Sequence, residues 1–408
     1  MKKPRSIYFD RYAWTPDLLD EEERVGNPDL VVVLPAYKET NLLAAVKSLL
    51  ACNAPAGEVC IIVLVNEPEN APGPVQKTNQ EAYDQLKALK NGLSSTFQLI
   101  IKRSLLPPKK AGVGLARKIG MDAAARWFAE KEKDGVIICF DADTTCQPNY
   151  LQAIEEFYQG EWQAGLVAYA HPLESNGIIE YESHLRYYAA GLRFAGFPFP
   201  FQTLGSCITV RSDAYLRHGG MNTRKAGEDF YFLHKIFPHE SVSDIVGTTL
   251  YPAARLSDRV PFGTGKALEK YQKSVNFLTY NPTIFSQLNE LLTHRDTLLM
   301  EKNELSQEVK SYLKDTDLSE RLLQLRANCA DDASYRARFF QVFDGFRVLK
   351  FVHYMRDRFF PMVPVPQALI KLNTQLWKIE GFENMVAHDR LSALRHWDQT
   401  HPVSYKVK

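Results

Sequence analysis

The chain has 408 residues, 45% hydrophobic and 24% charged, with a formal net charge of +1. That length suits two domains or one large domain with an extension, and a charge so near zero gives no global field for nucleic acid. No apolar run approaches the ~20 residues of a membrane span, and the opening MKKPRSIYFDRYAW has charge with no apolar core after it, so no secretory signal is expected.

Residues 1–28 are polar and end in the turn signal Gly26-Asn27-Pro28. Residues 30–34 (LVVVL) predict a buried strand stopped by Pro35. Thr40 or Asn41 is placed to cap the next helix, in which Leu42, Leu43, Val46, Leu49 and Leu50 keep helical spacing. Residues 59–65 (VCIIVLV) predict a second buried strand, 66–74 a loop, 76–90 a polar helix and 97–101 a third strand. A helix follows over 114–131, and 136–140 (VIICF) predict a fourth strand.

Strands alternating with helices predict an α/β fold with a Rossmann-like, mainly parallel sheet covered on both faces and right-handed crossovers. The G-x-G-x-x-G turn of a dinucleotide dehydrogenase is missing after the first strand. Residues 160–262 mix short apolar stretches with an aromatic-rich helix over 178–195, and from about residue 264 long charged helical patterns take over. The expected organisation is an N-terminal segment 1–28, an α/β domain 29–262 and a mainly helical region 263–408. Within the last, residues 335–360 interleave arginines with Phe and Tyr. A buried helix whose arginines reach for solvent competes there with a basic helix in peripheral contact with an anionic membrane. The six cysteines show no C-x-x-C spacing, which argues against a zinc site or disulfide framework and fits a reducing cytoplasm. Four histidines, His171, His184, His234 and His239, have no metal-like spacing either.

Asp141-Ala142-Asp143 directly follows the fourth strand. On an extended backbone, carboxylates at i and i+2 point the same way. At the carboxyl end of a parallel strand they face the crevice where open α/β sheets bind ligands. Hard oxygen donors there suit Mg2+ or Mn2+ held together with a substrate phosphate; the plain alternative is a strand-end turn. Gly227-Glu228-Asp229 precedes FYFLHKIF, which is apolar enough to anchor a helix. The helix dipole favours an ionised acid in its first turn, and such a carboxylate can take a proton from an attacking hydroxyl; the alternative is an ordinary N-cap pair. Lys109, Lys110 and Arg117 suit phosphate contacts, or form a solvated basic face.

Taken in order, Leu34-Pro35-Ala36-Tyr37-Lys38-Glu39, the run KKAGVGLAR over 109–117, Phe140-Asp141-Ala142-Asp143, the runs GSCITV (205–210) and GGM (219–221), and Gly227-Glu228-Asp229 resemble the family 2 glycosyltransferases with the GT-A fold. The resemblance covers roughly residues 29–262. It implies a nucleoside-diphospho-sugar donor, UDP- or GDP-linked. Pro35, Ala36, Tyr37, Glu39 and Asn66 would contact the nucleoside, and Lys110 and Arg117 the nucleotide or its phosphates. Asp141 would lie near the ribose or sugar and, with Asp143, hold the metal. Asp229 would be the general base, with Glu228 supporting the acceptor, a carbohydrate or another hydroxyl.

Two departures stand out. The acidic base reader after the second strand is replaced by Asn66-Glu67. The stretch where such enzymes offer a metal-binding His holds Arg255, Asp258 and Arg259 instead, so Asp258 becomes the expected third ligand and the arginines alternative diphosphate ligands. Residues 260–266 (VPFGTGK) read as a closing loop or a linker. The implied reaction is metal-dependent sugar transfer, by an inverting displacement, with retention as the alternative outcome. Its rivals are a sugar-nucleotide nucleotidyltransferase, whose Gly- and Arg-rich triphosphate loop is missing here, and a catalytically silent nucleotide-sugar-binding scaffold.

Overall fold

The computed structural model describes residues 4–91, 97–254, 269, 277–300 and 304–407. After a short helix α1 (Pro4–Arg11), strands β1 (Leu30–Ala36), β2 (Val59–Pro68), β3 (Gln98–Leu106) and β4 (Val136–Cys139) lie parallel in the order β3-β2-β1-β4. Helices α2 (Leu42–Leu50), α3 (Gly73–Asn91) and α4 (Val113–Glu130) connect them. β1 is buried along its whole length, as expected of a Val/Leu run with both sheet faces covered. Helix α4 lies so close to β1 that a Cβ on Gly120 would overlap Val33 Cγ1.

From β1 the chain moves outward to β2 and β3, then returns to place β4 on the other side of β1. This reversal opens a crevice beyond the carboxyl ends of β1 and β4, where open α/β sheets take their ligands. Past β4 the sheet becomes mixed. β5 (Thr144–Cys146) pairs antiparallel with β8 (Val242–Pro252), while β6 (Ala164–Tyr169) is parallel to β8. β7 (Ile208–Arg211) runs antiparallel to both β4 and β6, and Ser404–Tyr405 comes back to pair with β8. The expected α/β class, a sheet flanked by helices and followed by a helical region, is the one observed. Helices α5 (Tyr150–Phe157), α6 (Asn176–Phe194), α7 (Ser212–Arg217) and α8 (Glu228–Ile236) complete this part of the chain.

The described residues divide into two units that interleave in sequence: one drawn from 1–172, 203–263 and 402–408, the other from 173–202 and 264–401. So α6, read from sequence as part of the 29–262 domain, belongs with the C-terminal helices, and the polar first segment is built into the sheet unit. Asp122 on α4 is the reason for the latter. Its carboxylate accepts the hydroxyls of Tyr8 and Tyr215, each at 2.6 Å, and the Trp14 N–H at 2.7 Å, and it pairs with Lys118 at 3.0 Å. The Gly219-Gly220 turn makes room for this, since Gly220 has φ +65° and a Cβ there would overlap Tyr8 Oη.

Asn66 and Glu67 lie in β2 rather than in the loop expected after residue 65, opposite Ser104 and Leu105 of β3. The Glu67 carboxylate and the Asn66 carbonyl in this strand are both answered by hydrogen bonds. Buried Asn79 donates to the Asn66 carbonyl at 3.1 Å and to Glu67 Oε2 at 2.9 Å, and Arg103 reaches Glu67 Oε1 at 2.7 Å.

In the second unit, fully buried Glu182 on α6 is held by Arg186 at 2.8 Å and Arg395 at 2.6 Å. Residues 335–360 supply Phe339, Phe343 and Phe351 to its core. Four of the five arginines of that stretch meet aspartates: Arg336 meets Asp296 (2.8 Å), Arg347 Asp317 (2.7 Å), Arg356 Asp357 (2.6 Å) and Arg358 Asp315 (3.0 Å). Arg338 instead donates to the Asn328 carbonyl at 3.0 Å, so most, not all, of the segment's guanidinium charge is answered by acids. No described helix is long and apolar enough to cross a membrane.

Replacing Asp122 with Ala would strand buried Lys118 and leave three donors without their acceptor. The expected cost is ~3–5 kcal/mol, the usual result of breaking a buried pair. Urea denaturation measures it, and amide exchange should show faster exchange in α1 than in β1.

Candidate active site

The site is assembled around Arg117. This residue lies in the second turn of α4, whose start faces the carboxyl ends of the strands. Its guanidinium is buried, with one Nη donating to Glu228 Oε1 and the other to Asp141 Oδ1 at 2.5 Å. Glycines make the approach feasible. A Cβ at Gly205 would stand 2.6 Å from Arg117 Nη2, and one at Gly114 would stand 2.9 Å from Glu228 Cβ and overlap the Arg224 carbonyl. The glycines of KKAGVGLAR and GSCITV therefore serve the arginine's ion pairs and the contact between the start of α4 and the start of α8.

Burial alone would lower the Arg117 pKa, but the carboxylates of Asp141 and Glu228 drive it well above its ordinary value. The guanidinium stays charged. Removing it from water is costly, and two carboxylates at contact distance offset that cost. Its Nε has no hydrogen-bond partner among the described residues.

Helix α8 begins after Gly227, which takes the left-handed φ of 70° that a Cβ disfavours. Glu228 is buried and its carbonyl accepts the Asn222 side-chain amide at 2.9 Å. Asp229 Oδ1 accepts the Phe230 N–H at 2.7 Å. Burial pushes the Asp229 carboxyl up to about 7, the charge of Glu228 adds to that, and Arg117 opposes it. A carboxylate with this value is poised to accept a proton near neutral pH.

Asp141-Ala142-Asp143 is a turn, with the Thr144 N–H bound to the Asp141 carbonyl at 3.0 Å. The extended-backbone argument for two carboxylates pointing the same way therefore does not hold here, and it is Arg117 that fixes Asp141. The Asp141 side chain remains 35% exposed, and Asp143 is half-buried. Two carboxylates of this kind fit the usual mode of Mg2+ or Mn2+ binding, in which one or two acids combine with substrate phosphates and water. Among the described residues no three His, Cys, Asp or Glu side chains gather as a metal site. The expected third ligand Asp258, the alternative diphosphate ligands Arg255 and Arg259, and the loop 260–266 lie outside the described residues.

Of the other expected donor contacts, Pro35 and Ala36 end β1, and Tyr37 lies half-buried just beyond it. Glu39 is 1% exposed and accepts the Asn41 N–H at 2.8 Å. The expected Thr40 or Asn41 cap is not formed: Asn41 is the N-cap residue of α2 but makes no side-chain capping bond. Asn66 is buried near the end of β2. Lys110 is solvent-exposed, with its Nζ 5.5 Å from the Trp14 ring centroid. Asn79 is the residue that the sequence reading missed. It accepts the Lys38 N–H at 2.9 Å while donating to Asn66 and Glu67, and so ties the loop after β1 to the end of β2. An Asn midway along a polar helical pattern gives no signal for this.

No protein-family model and no curated protein matches the chain. Solved structures do. Residues 1–349 of S. aureus TarS in complex with UDP-GlcNAc match at 10% identity, with 91% of each chain covered and a TM-score of 0.41. The same protein with UDP matches at 11% identity, again over 91% of each chain, with a TM-score of 0.41. GalNAc-T7 with UDP, GalNAc and Mn2+ matches at 13% identity over 85% of this chain and 61% of that one, with a TM-score of 0.38. Likeness at such identities does not carry a reaction across, so the chemistry has to come from the side chains themselves.

Two outcomes follow from the geometry. Arg117→Ala leaves Glu228 buried without its cation, and a loss of ~3–5 kcal/mol is expected in urea denaturation. Arg117→Lys should recover only part of it, since one ammonium cannot span both carboxylates as a fork does. The second concerns pH. The folded chain holds the Asp229 proton more tightly than the unfolded chain, where the group titrates near 3.8. Its contribution to stability is complete below that value and is lost as pH rises through about 7. Asp229→Asn should therefore shrink the difference between urea midpoints measured near pH 5 and near pH 8.

Proposed function

We propose that the chain is a glycosyltransferase that moves a sugar from a UDP- or GDP-linked donor to a hydroxyl of a carbohydrate or other acceptor. One observation carries this reading: a single buried guanidinium holds both Asp141, the first acid of the Asp141-Ala142-Asp143 turn, and Glu228, the neighbour of Asp229. Donor-side and acceptor-side carboxylates thereby meet at one point of the crevice beyond β1 and β4.

In this reading the donor's nucleoside lies against the loop after β1, near Pro35, Ala36, Tyr37 and Glu39, with Asn66 at the end of β2. The diphosphate extends toward Asp141 and Asp143; Lys110, Arg255 and Arg259 are the further cations the reading assigns to it. Arg117 positions Asp141 and Glu228 rather than gripping phosphate. Mg2+ or Mn2+ on Asp141 and Asp143 would neutralise the diphosphate and make it a better leaving group. The acceptor hydroxyl gives its proton to Asp229 as its oxygen bonds to the anomeric carbon. The bond from that carbon to the phosphate oxygen breaks, and the nucleoside diphosphate departs with the bonding pair. An in-line attack of this kind inverts the anomeric centre. Membrane contact has no part in the proposal: four of the five arginines of 335–360 have acidic partners.

A thermal-shift screen of UDP- and GDP-sugars, with and without Mn2+, tests the donor. Ligand at 100 times its Kd should stabilise the fold by about 2.7 kcal/mol. Asp143→Asn should remove the increment that depends on Mn2+. If no nucleotide sugar raises the melting temperature with metal present, the proposal fails. Asp229→Asn tests the base. Transfer should fall about 10²–10⁴-fold with donor affinity unchanged within a few-fold. In the unmodified chain kcat/KM should climb as pH rises through about 7, and unaltered turnover in the variant would remove Asp229 from the mechanism.

A further inference from the structure

Cys52 follows the C-terminal end of α2, and Cys146 ends β5. Though 94 positions apart in the chain, their sulfurs lie 3.6 Å from each other. Cys146 is half-buried and open to small solutes, whereas Cys52 is 7% exposed. Cys52 Sγ also faces the Ser48 carbonyl at 3.4 Å, and Ser48 Oγ lies 3.8 Å from Cys146 Sγ. The remaining cysteines are placed differently: Cys60, Cys139 and Cys207 are buried, with Cys139 against Met121 Sδ at 3.7 Å, and Cys329 lies by Arg338.

The two thiols are electronically unequal. The hydrogen bond from Cys146 lowers the Cys52 pKa, burial opposes it, and the backbone of Leu151 and Tyr150 at the start of α5 lowers it further. Cys146 is correspondingly raised. One sulfur is thus favoured as the anion while its neighbour keeps the proton, an arrangement that promotes thiol exchange.

We propose that Cys52 and Cys146 form a reversible modification site that closes to an intramolecular disulfide by exchange with a low-molecular-weight disulfide such as oxidised glutathione. A protein thiolate attacks one sulfur of that disulfide, which releases one glutathione thiolate and leaves a mixed disulfide. The second cysteine, on losing its proton, attacks the protein sulfur of that mixed disulfide and expels the second glutathione. Two protein thiols lose two electrons and two protons, and one glutathione disulfide becomes two thiols. A disulfide bond is about 2.05 Å long, so the sulfurs must approach by roughly 1.6 Å from their present 3.6 Å. The bond would tie β5, which runs straight out of the Asp141–Thr144 turn, to the end of α2. This inference is independent of the sugar-transfer reading.

The test incubates the full chain with reduced and oxidised glutathione at set ratios, blocks free thiols by alkylation, and maps peptides without reduction. The expected product joins residues 52 and 146, with alkylatable thiols falling from six to four per chain. Hydrogen exchange at residues 141–146 should slow in the oxidised protein. Cys52→Ser and Cys146→Ser should each abolish the crosslink, and in urea the pairing should scatter among all the cysteines. Glutathione adducts that persist on Cys146 or Cys329 with no 52–146 crosslink in the native wild-type chain would overturn the proposal, as would two unmodified thiols at these positions. Because the wild-type map decides the matter, a variant that fails to fold leaves the result intact.

Discussion

A guanidinium withdrawn from water must keep company with anions, and most of the site's organisation follows from that requirement at Arg117. The residue is carried into the interior by α4, which Gly120 lets settle directly on Val33 of β1. Once there, it needs carboxylates within hydrogen-bond reach. Asp141 arrives from the turn after β4 and Glu228 from the first turn of α8. Three elements that are distant in sequence are therefore locked at one point. The price of burying ions is high and their mutual attraction does little more than offset it, so the network's value is that it specifies position. It also governs Asp229. Glu228 raises that carboxyl and Arg117 lowers it, and burial decides the balance in favour of a value near neutrality.

The framework was legible in the sequence because it rests on periodicity. Runs such as LVVVL and VCIIVLV, separated by helical patterns, admit few arrangements other than a covered parallel sheet. The ordered motifs are distant in sequence, yet Arg117, Asp141 and Glu228 meet where the strand order reverses. What the sequence could not disclose was which group answers which. Arg117 read as a phosphate ligand because a lone arginine near glycines looks available, and only the fold shows that its two Nη groups are already committed. The interleaving of the two units was hidden for a related reason. Helix α6 has buried positions on most of its circumference, and such a pattern says that a helix is covered without saying by what. The polar segment before residue 28 concealed Tyr8, whose hydroxyl finds Asp122 more than a hundred residues away.

Charge in the second unit illustrates the same limit. Basic and aromatic residues interleaved along 335–360 are compatible with a lipid surface or with a packed helix. The choice turns on whether the arginines have acidic partners, and those partners come from residues 296, 315, 317 and 357. Ion pairs at this level of exposure add little stability. Their consequence is electrostatic: the fields of Arg336, Arg347, Arg356 and Arg358 are offset locally, which reduces the stretch's attraction to an anionic surface although it is rich in arginine.

The loop after β1 shows how a local strain can be held in place. Lys38 has φ +50°, a left-handed conformation that costs a side-chain-bearing residue roughly 1–2 kcal/mol. Nothing in the lysine itself favours it. The conformation persists because its N–H is captured by buried Asn79, whose amide is fixed in turn by the Asn66 carbonyl and Glu67. Glu39, on the other side of Lys38, is anchored by the Asn41 N–H at the entry to α2. The loop is held at Lys38 and again at Glu39 and Asn41, and Tyr37, just before the first of these, is half-buried at the carboxyl edge of β1. Strain maintained by surrounding hydrogen bonds tends to gather where a backbone must present itself in one particular way. Here that place adjoins the carboxyl ends of β1 and β2, and the backbone there is ordered by folding itself.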